Sequence, residues 1–353
     1  MHSGTDTSDG GSSHNRHDYV KIITYTTGFA GLLFFTALIF HEGVNSIIST
    51  ISVAGWQMLW LIPFHVLPLA LDAEGWNILL KKFKSPHISF PYLFWVASVR
   101  DAMNSLLPVA RIGGEVAGIR LVIKKNIAPA FAIASVIVET TLTLINQYLF
   151  ALLGIALLAF DIRGAYLTGT ILVALLITLP LFMVFVLLQH NGIFQRFKRL
   201  AVRLPSGNKL LAPMGDPALL DGEIKALYRR RRDLIRCGIW QMAGLLAGAA
   251  EIWFILYLLK HSIPFSAALM IESLSQALRS ATFIVPAGIG VQEASLVLLG
   301  AVAGLNLELA IALSLAKRFR DIVFGLPVLM SWQWVEGRRL GNLFKRKPYQ
   351  INL

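Results

Sequence analysis

Twice in this chain a proline stands seven positions before a glutamate, each time inside an apolar stretch. The first copy reads LLPVARIGGEVAGIR, Leu106 to Arg120, and the second reads FIVPAGIGVQEASLV, Phe283 to Val297. Pro108 matches Pro286 and Glu115 matches Glu293, both at an offset of 178 (286 − 108 and 293 − 115). A helix-breaker, a glycine cluster and a carboxylate, repeated at membrane depth, serve anchoring poorly. They point to a duplicated, inward-folded element around a pathway.

The surrounding sequence makes this a membrane problem. Hydrophobic residues are 56% of the chain and charged residues only 15%. Several apolar runs reach about 20 residues, enough to cross ~30 Å of hydrocarbon as a helix. Irregular backbone is tolerated in such a chain only where it is buried in protein or lines a cavity. The fold expected is therefore an all-α polytopic membrane protein. The net charge of +12 could suggest nucleic acid in a soluble chain. Here the bases cluster in loops: Lys81, Lys82 and Lys84; Arg120, Lys124 and Lys125; Arg229 to Arg232; and Arg338, Arg339 and Lys345 to Lys347. The positive-inside bias explains that pattern. Such loops attract anionic inner-leaflet lipids, by about 1 kcal/mol per basic residue. No nucleic-acid partner is expected. Cys237 is the only cysteine, which excludes an intrachain disulfide and a thiolate metal cluster.

Lysine placement sets the expected topology. Residues 1–18 read as a disordered polar tail, and residues 19–336 as one transmembrane domain. Spanning helices are expected at Val20–Phe40, at Val53–Leu71 or on to Leu80, and at Ala128–Phe160, Ala165–Leu188, Cys237–Leu259 and Leu307–Val335. That makes about six, with both termini cytoplasmic, a cytoplasmic loop at 189–236 and a basic tail at 337–353. Two broken re-entrant hairpins sit around Pro108 and Pro286 and enter from opposite faces. Repeat one then covers about 53–160 and repeat two about 237–335. This is the inverted-repeat signature of transporters, in which interrupted segments mark a binding site near the midplane. Pro108, Gly113, Gly114, Pro286, Gly288 and Gly290 form the expected breaks.

Twelve charged residues fall within apolar stretches: Arg100, Asp101, Glu115, Glu139, Glu251, Glu272, Arg279, Glu293, Lys317, Arg318, Arg320 and Asp321. Each costs about 2.5–3.5 kcal/mol at a bilayer centre on insertion scales, so they must pair or line a wet cavity. Asp101 and Arg279 correspond between the repeats, as do Glu139 and Lys317, and these are the expected pairs. Structural ion pairing and a place on a substrate path weigh about equally for them. Glu115 and Glu293 start the half-helices, where a carboxylate complements the helix dipole. They could equally bind a cationic or hydroxyl-bearing head group, or carry a proton. The candidate substrate path takes Arg100, Asp101, Glu115, Glu139, Arg279, Glu293, Lys317 and Arg318 from the twelve, together with Arg111 and Gln292. His65 reads as a hydrogen-bonded packing residue. The eight tryptophans read largely as interfacial belts. No zinc-ligand spacing, nucleophile elbow or Walker loop is found, so neither metal, cofactor nor catalysis is expected.

The stretches NSLLPVARIGGE, INQYLFALLG, EIWFILYLL, PAGIGVQEASLVLLG and LSLAKRFRDIVFGLP resemble the flippase-like integral membrane family related to the transmembrane region of lysylphosphatidylglycerol synthases. Within it, the chain looks most like the hopanoid-biosynthesis-associated branch. The resemblance implies lipid movement in the bacterial cytoplasmic membrane, with a hopanoid or derivative as cargo. The family's motif residues carry over as Pro108, Gly113, Gly114, Glu115, Pro286, Gly288, Gly290 and Glu293. Synthase relatives continue into a soluble aminoacyl-transferase domain. This chain ends soon after its last span, so lipid aminoacylation is not implied. Two alternatives stay open: an enzyme acting on lipid head groups through Glu115 or Glu293, and a scaffold for lipid-synthesis enzymes.

Overall fold

The computed structural model describes residues 52, 55–81, 88–107, 113–160, 169, 217–281 and 290–345. The expected spans at Val20–Phe40 and, apart from Gly169, Ala165–Leu188, together with Pro108, Arg111, Pro286 and Gly288, lie outside them. A 3-10 turn, Gly55–Trp60, leads into α1 (Leu61–Leu80). There follow α2 (Phe90–Leu106), α3 (Gly113–Ile123), α4 (Pro129–Phe160), α5 (Pro217–Tyr228), α6 (Arg231–Leu258), α7 (Phe265–Ala281), α8 (Val291–Val302) and α9 (Leu307–Lys345). No strand occurs among the described residues. α4 and α6 are long and apolar enough to cross hydrocarbon by composition alone. α1 and α9 carry polar residues that turn inward.

Each expected break separates a helix of 17 residues from one of 11 or 12. At about 1.5 Å per residue, the shorter members are half-length helices. Both pairs are antiparallel hairpins. In the first, the Tyr92 hydroxyl donates to the Leu121 carbonyl at 2.9 Å, and the Gly114 N–H donates to Asn104 Oδ1 at 3.1 Å. In the second, the hydroxyls of Ser275 and Ser295 lie 3.0 Å apart, and Arg279 donates to Gln292 at 2.8 Å. Gly114 lets the first hairpin close, since a methyl there would lie 2.5 Å from the Arg100 carbonyl oxygen. Gly290, at φ 81°, turns the chain into α8 in a conformation that side chains disfavour.

The long helix α9 orders the two hairpins. Near its start, Gly300 of α8 packs on Ala310. Near its far end, Lys124, just beyond α3, bonds Glu336, and Trp95 of α2 donates to Ser331 at 2.9 Å. Ala310 and Glu336 are 26 residues apart on one helix, about 39 Å. The open ends of the hairpins therefore lie at opposite ends of α9. Their tips meet between, at Arg318. Packing partners are matched in the same sense: α1 packs on α6, α2 on α9, and α7 on α4. α1 and α6 run antiparallel, with Phe64 stacked on Phe254 at 5.1 Å and Gly75 set against Cys237 and Gln241.

Two large apolar cores result, one toward each end, with a small third cluster of Phe150, Ala249 and Leu269 joining α4, α6 and α7. One joins the ends of α1 and α9 to α2, α3, the first half of α4, and α5. The other joins the start of α1 to α7, α8 and the last turns of α4 and α6. A polar layer lies between them. Two expectations are corrected here. The 189–236 segment is not loop throughout, because α5 buries Leu220, Ile224 and Leu227 against α4. Their i, i+4, i+7 spacing puts one apolar stripe on the helix. Trp76 is not part of an interfacial belt. It is 1% exposed and donates to Ser135 Oγ at 3.2 Å.

Close packing at Gly114 generates a test. Gly114→Ala forces α2 and α3 apart and costs about 1–3 kcal/mol, as overpacking does. Gly222→Ala, with open space beside it on α5, is neutral or stabilising by about 0.5–1 kcal/mol. Thermal unfolding of the purified protein in detergent micelles separates the two.

Candidate functional site: a charged cavity between two hairpins

Arg100 is the first junction of the polar layer. It is 8% exposed, because α2 points it inward among four elements. Its guanidinium bonds Glu115 from α3 and Glu139 from α4, the latter at 2.7 Å, and lies 4.6 Å above the Trp76 ring of α1. A guanidinium offers a fixed fork of donors and a face for stacking, so one side chain can hold all three partners. Arg318 is the second junction. Its Nε donates to Glu293 at 3.0 Å and its Nη1 to the Ser105 carbonyl at 3.4 Å, so it touches both hairpin tips. The other oxygen of Glu293 accepts the Gly290 N–H at 2.7 Å. Glu293 thus caps α8 and holds the tip together.

The remaining charges form two further groups. Lys317 donates to Glu272 at 2.6 Å, and Gln276 donates to the second oxygen of Glu272 at 2.9 Å. Arg320 lies 3.3 Å from both Glu251 and Asp321 and contacts His65. His65 lies 3.5 Å from Asp101 and 3.4 Å from Glu251.

The last two groups line a cavity of about 240 Å³, whereas Arg100, Glu115, Glu139, Glu293 and Arg318 are not among its lining residues. Its walls include His65, Pro68 and Asp72 of α1, Asp101 and Ser105 of α2, and Thr143, Asn146 and Gln147 of α4. The facing wall holds Gln241 and Glu251 of α6, Glu272, Gln276 and Arg279 of α7, and Lys317, Arg320 and Asp321 of α9. Five carboxylates face three bases and one histidine, so the lining is acidic when the imidazole is neutral. The arrangement can hold a polar or cationic group away from hydrocarbon. No set of three His, Cys, Asp or Glu side chains among the described residues could hold a metal ion.

The expected pairs Asp101–Arg279 and Glu139–Lys317 are not formed. Glu139 takes Arg100 and Lys317 takes Glu272, each within its own half. Asp101 faces His65, while Arg279 donates to Gln292. An equal offset in sequence does not by itself bring two side chains together, because contact depends on helix rotation and height. The structure does bring Arg100, Glu115 and Glu139 together, and Glu293 with Arg318. Sequence reasoning left His65, Asp72, Glu251, Glu272, Arg320 and Asp321 off the path. One signal was available: His65 and Asp72 are seven residues apart on α1, two turns along the same face.

A family model of the lysylphosphatidylglycerol synthase TM region matches residues 22–328. The chain belongs to that family. No curated protein and no solved structure matches it. Membership in the lysylphosphatidylglycerol synthase TM region family makes this a multi-pass membrane protein. α4 and α6 expose large apolar side chains such as Leu149, Leu152, Ile239 and Trp253, and the ionic layer lies inside.

The pair assignment is testable. Glu272→Gln strands the Lys317 ammonium and costs about 3–5 kcal/mol. Adding Lys317→Met recovers most of that loss, whereas Glu139→Gln combined with Lys317→Met shows no mutual rescue. A double-mutant cycle on thermal unfolding in micelles reads both.

Proposed function

We propose that this chain moves a polar-headed lipid across or between membranes, as a flippase-like protein. The cargo is a hopanoid or hopanoid derivative and the site is the bacterial cytoplasmic membrane. One observation carries the reading: a mixed-charge cavity lies where two broken hairpins meet, inside a family of membrane regions. Carrying a polar group through hydrocarbon costs several kcal/mol when its hydrogen bonds are lost. A cavity lined by carboxylates, amides and bases supplies replacements along the way. At about 240 Å³ the space is smaller than the ~300–1,000 Å³ of pockets for drug-sized ligands. It suits a head group, with the tail left in lipid.

In this reading the chain has six spans and two re-entrant hairpins in an inverted repeat, with both termini cytoplasmic. The opposite placement of the hairpin bases along α9 supports it. Alternating access then breaks one end at a time. The bonds of Arg120 and Lys124 to Glu336 close one end, and the Ser280–Gln147 bond of 2.8 Å closes another contact between α7 and α4. Basic loops hold anionic inner-leaflet lipids, and catalysis forms no part of the activity. The acidic surplus of the cavity favours neutral, hydroxyl-rich or cationic heads over anionic ones.

Reconstitution in vesicles decides the matter. Fluorescent lipids with neutral, cationic and anionic heads, including a hopanoid polyol, are loaded, and leaflet exchange is followed by quenching of the outer leaflet. The protein accelerates exchange of neutral or cationic heads over protein-free vesicles, and Arg318→Ala slows it about tenfold, equivalent to ~1.4 kcal/mol in barrier. Equal exchange with and without protein for every head group rejects the proposal.

A further inference from the structure

His65 stands where both halves of the molecule meet. It is 7% exposed on α1. Its Nδ1 lies 3.4 Å from Glu251 on α6, and its Nε2 lies 3.5 Å from Asp101 on α2. Arg320 of α9 meets the ring through Nη1, which contacts Nδ1 and lies 3.1 Å from Nε2, and its Nη2 lies 3.3 Å from Glu251; the Phe324 ring closes the remaining edge at 5.2 Å. The other charges on elements packed around α1 are engaged elsewhere. Glu139 of α4 holds Arg100, Lys317 holds Glu272, and Asp321 lies beside Arg320. Asp72, two turns along α1, lines the same cavity.

An arginine can only donate hydrogen bonds, so its partner on the imidazole must be a lone pair. In this arrangement the ring is neutral. A second proton turns both ring nitrogens into donors and sets two cations against each other. Asp101 and Glu251 already stand on the sides of the two nitrogens, a few tenths of an ångström beyond hydrogen-bond length. Two arrangements therefore exclude one another. In one, neutral His65 accepts from Arg320. In the other, charged His65 donates to Asp101 and Glu251, and Arg320 is released to Asp321. Around the ring, the two carboxylates Asp101 and Glu251 face one guanidinium, so an added proton balances the buried charge, which is costly when uncompensated.

We propose that His65 binds the proton that drives this protein: its uptake exchanges Arg320 for Asp101 and Glu251 and shifts α9 against α1 and α2. Arg318, two residues before Arg320, holds both hairpin tips, so a shift of α9 reaches the gate. The coupling rests on the lipid-transport reading above, whereas the proton site does not. The proton comes from water in the cavity and returns to it, and no other bond is made or broken.

The test uses the full chain, labelled with ¹⁵N-histidine, in lipid nanodiscs. His65→Gln identifies the signal. If that variant does not fold, replacing the other histidines leaves the His65 signal alone. His65 passes from neutral to doubly protonated between pH about 8 and about 5, the range in which small changes of environment move a histidine. Asp101→Asn and Glu251→Gln each raise the proton concentration needed for half-protonation at least tenfold. A ring that stays neutral throughout, or a titration indifferent to both substitutions, overturns the proposal. In vesicles, an imposed acid gradient changes the exchange rate of a fluorescent neutral-head lipid at least threefold, and the wild-type ratio is lost in Glu251→Gln. Titration as expected with no lipid exchange at any pH supports the proton site and removes the transport reading. Exchange indifferent to the gradient, with a non-titrating His65, removes the proton site and leaves transport standing.

Discussion

An uncompensated charge inside an apolar bundle is too costly to leave alone, and the interior of this protein is arranged around that cost. A buried cation whose partner is lost destabilises by about 3–5 kcal/mol, a large share of the stability of an ordinary domain. Arg100 answers with two carboxylates and an indole face, drawn from α1, α3 and α4. Arg318 answers with Glu293 and a backbone carbonyl of the opposite hairpin. Each pairing fixes the relative position of helices that apolar packing alone would let slide. Arg100 sets the depth of the first hairpin, and Arg318 sets the meeting of the two tips.

Apolar contacts then divide into two cores, one toward each end, with the ionic layer between. This order suits a path that must be closed at one end while open at the other. Either core can stay packed while the other loosens. The hairpin tips are the natural place for motion. Asn104 on Gly114 and Glu293 on Gly290 secure the ends of the short helices, with Arg100 and Arg318 bonded to their first-turn glutamates.

Much of this was legible in sequence because membrane burial restricts the choices. The two breaks, the half-length helices after them, the glutamates in their first turns and the inward turn of every charge follow from Pro, Gly and carboxylates set in apolar runs. Partners were not legible. Glu139 and Lys317 are equivalent by offset, yet each is satisfied inside its own half, since contact depends on helix rotation and height rather than on periodicity. His65 looks like packing in a linear reading. Its importance arises only when Glu251 and Arg320, 186 and 255 positions away, are folded onto it. The α5 helix was hidden by its position in a basic segment, although Leu220, Ile224 and Leu227 carry its periodicity.

The two equivalent positions that fail to pair have another consequence. Asp101 corresponds to Arg279 and Glu139 to Lys317, so at both places a carboxylate in one half is matched by a base in the other. Were the halves chemically alike, a rotation exchanging the two ends would leave the internal field unchanged, and ascent and descent would be equivalent journeys for a charged traveller. Reversing the signs removes that equivalence. Components of the field along α9 that would cancel between identical halves add instead. In the proposed inverted repeat, these two positions would give the scaffold a polarity, as a diode differs from a wire.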